Sequence, residues 1–193
     1  DHIGAVGIHS YNSGVKNKII MGFTNADALA VTPDGNDVIF GTNPISLIFQ
    51  SKEKLTYIDL ATTIFSKNKV KNYRRNKLNL PIGVARDDKL RKTTNPNKAE
   101  FLEAIGGHKG FALAYMVEIL TSGLACQNHS KNLLPMYGTD LKINRGVSHT
   151  YLMINPSFLG LDTLSSIHDV INETIENVSK EQYNKLPGIK ELS

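Results

Sequence analysis

A single cysteine, Cys126, is all the thiol chemistry in the 193 residues. One thiol excludes an internal disulfide and suits a reducing compartment, so a cytoplasmic location is expected. No apolar run reaches the roughly 20 residues needed to cross a bilayer, and none reads as a signal peptide, so no membrane partner is expected. The six histidines are scattered, none at ligand spacing from Cys126, which argues against a Cys/His metal site. Internal repeats and low-complexity segments are absent. So is a G-x-G-x-x-G after a predicted strand, and with it the dinucleotide signature of the Rossmann fold. Charge is nearly balanced. The net +4 fits a pocket for anionic small molecules as well as a nucleic-acid surface.

What is present centres on Gly106-Gly107-His108-Lys109-Gly110 and the run Phe111 to Leu120 that follows it. The pattern predicts a glycine turn opening a helix that only Glu118 interrupts with charge, hence a helix buried on all sides. Unpaired amides of a first helical turn, the helix dipole and Lys109 together suit an anionic group such as a phosphate. A plain tight turn with an exposed lysine is the alternative. The length suits one domain, or one and a small part, with enough apolar content for a core. The chain starts at Asp1 without methionine, and it is expected to be part of a longer polypeptide.

In chain order, Gly4 to Tyr11 predicts a tightly packed helix. Strands are expected at Lys18–Phe23, Val38–Phe40, Ile45–Phe49, Leu55–Ala61 and Val147–Ile154. Thr24-Asn25-Ala26-Asp27 forms a loop at a strand end, where function concentrates. Pro33-Asp34-Gly35-Asn36 is a turn. Asp59 lies inside an apolar, β-prone run and needs a partner or a ligand, a structural hydrogen bond being favoured on general grounds. Thr62 to Arg75 predicts a helix with Lys67, Lys69, Lys71, Arg74 and Arg75 crowding its end. Pro81 to Lys92 reads as loop, and Asn95-Pro96 as a helix N-cap opening a short helix from Asn97 to Ala104. Gly123 to Asn144 is irregular. Leu164, Ile167, Ile171, Ile175 and Val178 recur at helical spacing and predict an amphipathic surface helix, and Leu186-Pro187-Gly188 a closing turn.

Several motifs agree in order. Asp1-His2-Ile3-Gly4, Thr24-Asn25-Ala26, Gly41-Thr42-Asn43-Pro44, Asp59-Leu60-Ala61-Thr62-Thr63, Gly106-Gly107-His108-Lys109-Gly110 and Leu186-Pro187-Gly188 occur as in one family. The chain resembles the malate/L-lactate dehydrogenase family, which also includes ureidoglycolate dehydrogenase and diketogulonate reductase. The resemblance implies an α/β (α+β) fold with a large mixed, largely antiparallel sheet flanked by helices. It implies an enzyme using NAD or NADP to interconvert a 2-hydroxy acid of malate, lactate or ureidoglycolate type and its 2-oxo acid.

By position, His2 matches the family's proton acceptor for the substrate hydroxyl. Alone it would read as a terminal, solvated histidine. Ala26, Asp59, Ala61, Thr62, Thr63, His108, Lys109, Gly188 and Lys190 match cofactor-contacting positions. Asp27 resembles an acidic residue of ureidoglycolate dehydrogenases and is the substrate-binding candidate. The chain departs from the pattern at Thr63, where serine is common, and at His108, where aromatic or small residues also occur. Residues 1–193 are expected to form the cofactor-binding domain of a longer dehydrogenase, a homodimer when complete, whose absent N-terminal portion carries other substrate-binding side chains. Two alternatives compete. One is a domain that binds nucleotide but is inert. The other is an RNA or polyanion module using the basic run from Lys67 to Lys77, which offers only Tyr73 for stacking, so nucleic acid is not expected.

Overall fold

A computed structural model of the chain describes residues 6–7, 17–50, 55–136, 140, 142–160 and 163–176. The β-prone runs become strands: β1 (Ile19–Thr24), β2 (Ala30–Val31), β3 (Val38–Phe40), β4 (Ile45–Gln50), β5 (Leu55–Leu60), β6 (Ala85–Arg86), β7 (Phe101–Leu102) and β8 (His149–Ile154). Among the described residues the longer α-helices are α1 (Lys67–Arg75), α2 (His108–Glu118) and α3 (Thr163–Glu176). Among the described residues no helix is long and apolar enough to cross a membrane.

The strands form two sheets, ordered β5-β4-β1-β8 and β3-β2-β7-β6. β4 and β5 pair antiparallel from Ile45 opposite Leu60 to Gln50 opposite Leu55. β2 pairs antiparallel with β3 through an irregular register and parallel with β7, and β7 pairs antiparallel with β6. The mixed, largely antiparallel α/β class expected from the resemblance is borne out, with the strands shared between two sheets. The chain divides into two compact units. The first holds Phe23–Pro44 and Ala61–Thr150; the second holds the described residues of 4–22, Ile45–Leu60, and those from 151 onward.

The first unit's core packs Phe65, Val70, Leu80, Val84 and Leu102, with Tyr73 tilted against Phe65 at 5.5 Å between ring centroids. Three expectations need correction there. The helix predicted from Thr62 starts at Lys67, where the Ser66 hydroxyl caps it by accepting the Lys69 amide at 3.1 Å. Thr62 to Phe65 instead form a bent segment in which Thr63 makes an antiparallel β-bridge to Ala104. This suits a β-branched, aromatic segment. The helix predicted over 97–104 is only a turn in which Asn95 accepts from the amides of Asn97 and Lys98. Pairing of Phe101–Leu102 between β2 and β6 overrides a short helix, which is marginal without tertiary support. The predicted loop at 81–92 likewise contains β6.

α2 also departs from expectation. It buries Gly110, Ala114, Val117 and Glu118, while Tyr115 and Met116 stand out, and Ile119 follows them at 52% exposure. The apolar run is therefore buried on one face, and that face includes its one charge. In the second unit α3 is amphipathic as predicted, with Leu164, Ile167 and Ile171 half-buried and Ser165, Ser166 and Asp169 exposed. Of the helix predicted over Gly4 to Tyr11, Val6 and Gly7 are helical; the remainder, and the predicted turn at Leu186–Gly188, lie outside the described residues.

Candidate functional site

Gly106 and Gly107 open α2 with φ of 57° and 60°, the left-handed region that favours glycine. A Cβ on Gly107 would meet nothing within 4 Å, so this backbone faces open space. Gly110 is the opposite case: its Cβ would lie 2.5 Å from the Ile105 carbonyl oxygen and 2.7 Å from that of Thr62. The expected set of unpaired first-turn amides is not what forms. The amides of Lys109, Gly110 and Phe111 donate to the carbonyls of Gly106, Ile105 and Gly107. An anion here would meet the exposed Lys109 ammonium and an open glycine backbone rather than a ring of free N–H groups.

The glycine turn is tied to the Ala61–Thr63 segment. The Ile105 amide donates to the Thr62 carbonyl at 2.9 Å, and the Thr62 amide to the Thr42 carbonyl at 2.9 Å. Both threonines are buried and their hydroxyls point inward, Thr62 donating to the Thr42 carbonyl at 3.0 Å and Thr63 to the Phe65 carbonyl at 2.8 Å. They hold loops together, and their oxygens are left with acceptor capacity only.

Gly41-Thr42-Asn43-Pro44 joins this arrangement to the Thr24–Asp27 loop. The Asn43 Oδ1 accepts the Ala26 amide at 3.1 Å, and a Cβ on Gly41 would lie 2.3 Å from the Ala26 carbonyl oxygen. Asn43 and Asn25 are fully buried, and both donate to Glu118, itself 5% exposed. Asp27 is paired: its carboxylate accepts from the Arg145 guanidinium at 2.6 Å, with side chains 15% and 10% exposed. Arg145 also donates to the Leu134 carbonyl at 2.9 Å. Sequence reasoning missed Asn43, Glu118, Ser130 and Arg145 as partners of this loop. One signal was available: a lone carboxylate in an apolar run costs too much to bury without donors, the same argument applied to Asp59.

Asp59 lies in the second unit, on β5, half-buried. It accepts the Gly7 amide at 2.9 Å and the Tyr57 hydroxyl at 3.4 Å, so a structural hydrogen bond is present there. Burial pushes its carboxyl above the ordinary carboxylate value, and hydrogen bonding from Gly7, Tyr57 and the Val6 backbone pulls it back only in part. A folded-state pKa above the unfolded one means that the folded chain binds the proton more tightly. Stability is therefore greatest below the ordinary carboxylate pKa and declines as pH rises from that value through the raised one. Asp59→Asn keeps an oxygen for Gly7 and should flatten that part of the thermal-midpoint profile; an unchanged slope would count against it.

Ala26, Ala61, Thr62, Thr63, His108 and Lys109 thus fall in one unit, their segments linked by hydrogen bonds. His2, Gly188 and Lys190 lie outside the described residues. Several cations of the basic run are engaged. Burial holds the Lys67 ammonium below the ordinary lysine range, and it donates to the Glu100 carbonyl. Lys69 lies over the Phe65 ring at 4.1 Å, and Arg74 donates twice to the Pro96 carbonyl. A cleft of about 390 Å³ between Asp87, Arg91, Asn97, Lys98 and Glu100 shares no residue with the predicted site, and Arg91 already occupies its Asp87 carboxylate. Among the described residues no three His, Cys, Asp or Glu side chains gather as a metal site would require.

Comparison with known proteins gives this geometry a context. A family model for malate/L-lactate dehydrogenase matches residues 1–192. A malate dehydrogenase of Pyrococcus abyssi is 31% identical over 93% of this chain and 52% of its own length. A ureidoglycolate dehydrogenase (NAD(+)) of Escherichia coli O157:H7 is 27% identical over 86% of this chain and 48% of its own. The crystal structure of a dehydrogenase from Sinorhizobium meliloti shares the fold, with a TM-score of 0.82 over 97% of this chain and 54% of that one at 23% identity. The chain spans about half the length of the curated relatives it matches.

Proposed function

Because this chain belongs to the malate/L-lactate dehydrogenase family, we propose that residues 1–193 form the cofactor-binding domain of an NAD(P)-dependent oxidoreductase. The reaction interconverts a small 2-hydroxy acid and its 2-oxo acid; the relatives' names include malate and ureidoglycolate, and one names NAD(+). One observation carries the reading. The Thr24–Asp27 loop, the Ala61–Thr63 segment and the glycine turn, three separate stretches that the family resemblance singles out, are laced together in one unit through Asn43, Thr42 and Ile105.

The residues fit a dinucleotide. The open backbone at Gly107 and the exposed Lys109 charge suit a pyrophosphate, which a Cβ or a carboxylate at those places would repel. Within the first unit, Ala26, Ala61, Thr62, Thr63 and His108 are assigned to its remaining groups; Asp59, Gly188 and Lys190 are assigned to the cofactor by the family resemblance in sequence alone. When bound, the nicotinamide supplies the hydride chemistry, which no side chain can. His2 takes the proton of the substrate hydroxyl, a task suited to an imidazole titrating near neutral pH. Asp27, which pairs with Arg145, is assigned to substrate binding on the family resemblance. A homodimer and a cytoplasmic location belong to the same reading.

Titration with NADH and NADPH, followed by nicotinamide fluorescence, tests it. Saturable binding weakened by Lys109→Ala is expected. Failure of both dinucleotides to bind, in this chain and in one extended to the relatives' length, would contradict it.

A further inference from the structure

Glu118 ends α2 as a carboxylate at 5% exposure, and among the described residues it forms no ion pair. Neutral donors hold its charge instead. Oε1 accepts from the Ser130 amide at 2.8 Å, the Ser122 hydroxyl at 3.0 Å and the Asn25 amide group at 3.3 Å. Oε2 accepts from the Ser130 hydroxyl at 2.6 Å and the Asn43 amide group at 2.9 Å. Burying a carboxylate is costly, and removing any donor leaves that cost exposed, so the charge selects one arrangement of its donors.

That arrangement has a consequence beyond α2. With its Nδ2 fixed on Glu118 and on the Ala114 carbonyl, Asn43 must turn Oδ1 toward the Ala26 amide. With its Nδ2 fixed on Glu118 and the Asn128 carbonyl, Asn25 turns Oδ1 toward the Ser148 amide at 2.8 Å. Two adjacent positions in the middle of the loop, the Asn25 side chain and the Ala26 amide, are therefore set by one carboxylate.

We infer that Glu118 is a positioning residue for the dinucleotide, holding the Ala26 loop in its binding conformation through Asn25 and Asn43. The inference rests on the cofactor reading above. Glu118 itself touches no ligand in this scheme. Its work is to keep the loop ordered before binding, so that this ordering is not charged against affinity.

The test is Glu118→Gln in the full 193-residue chain, read by NADH and NADPH affinity and by amide hydrogen exchange. Glutamine keeps the shape; an Nε2 in place of Oε2 can donate to the Ser130 hydroxyl, which turns its own proton to Asn43 Oδ1, but it meets the Asn43 Nδ2 donor to donor, so that hydrogen bond is lost. The expected result is a Kd raised about tenfold, the size of one such bond, at a temperature where the variant is folded. Exchange at the Ala26 amide rises with it, while exchange at Leu80, whose amide donates to the Thr94 carbonyl in the core, stays unchanged. Ser130→Ala, which removes one donor and leaves the carboxylate, should move Kd and Ala26 exchange the same way by about threefold, a milder loss within the usual range for one hydrogen bond. Unchanged Kd in both variants overturns the inference. So does a rise in exchange at Leu80 equal to that at Ala26, which marks general loosening. If neither the unaltered chain nor one extended to the relatives' length binds either dinucleotide, the cofactor reading fails by itself, and Ala26 exchange still decides whether Glu118 holds the loop.

Discussion

Arg145→Met is expected to destabilise the chain by about 3 kcal/mol, because it strips the counter-ion from a carboxylate that has little water of its own. An exposed ion pair is worth less than about 1 kcal/mol, since solvent replaces either partner cheaply. The Asp27–Arg145 pair is not of that kind. Its side chains are 15% and 10% exposed, and the guanidinium also fastens to the Leu134 carbonyl. Methionine fills much of the arginine's volume, so the loss reports the stranded charge rather than a cavity. Adding Asp27→Asn removes the stranded charge and should restore a large part of the stability. Urea denaturation of the two single variants and the double variant gives the coupling. Near-additive losses would show that the pair is worth no more than a surface one.

Gly110→Ala should also destabilise, by about 2 kcal/mol, although alanine at a helical glycine ordinarily stabilises by about 1 kcal/mol. The sign reverses because the new methyl group would lie 2.5 Å from the Ile105 carbonyl oxygen and 2.7 Å from that of Thr62. Both obstacles are backbone: the Ile105 carbonyl accepts the Gly110 amide, and the Thr62 carbonyl accepts the Ile105 amide that joins the turn to the Ala61–Thr63 segment, so no side-chain rotation relieves them. Gly107→Ala is the control, with open space at the same turn. It meets the strain of φ 60° but no clash, and its loss should be the smaller. A lower urea midpoint for Gly110→Ala than for Gly107→Ala is the expected order. The reverse order would place the constraint in the turn's dihedral angles instead of its packing.

Much of the fold was legible because it is local. Val38–Phe40, Ile45–Gln50 and Leu55–Leu60 carry β-branched and aromatic residues bounded by turn formers, and the spacing along α3 is helical. The errors fall where distant pairing decides. Thr63 is a β-bridge residue and not helical because it meets Ala104, and Phe101–Leu102 is a strand because β2 and β6 lie on either side. No window over 97–104 contains those partners. The candidate loops were legible as motifs, but their joints were not. Asn43 and Glu118 meet only when the loop before β4 and the end of α2 are folded together, and a carboxylate within an apolar run reads as an interruption until its donors are known.

The most direct test of the account is amide mapping of the 15N-labelled chain with NADH and NADPH. Binding at the laced loops of the first unit predicts saturable shifts at Ala26, at Thr62 and Thr63, and at His108 and Lys109. Shifts confined to the basic stretch from Lys67 to Lys77, or no saturable shift with either dinucleotide in this chain and in one extended to the relatives' length, would contradict it.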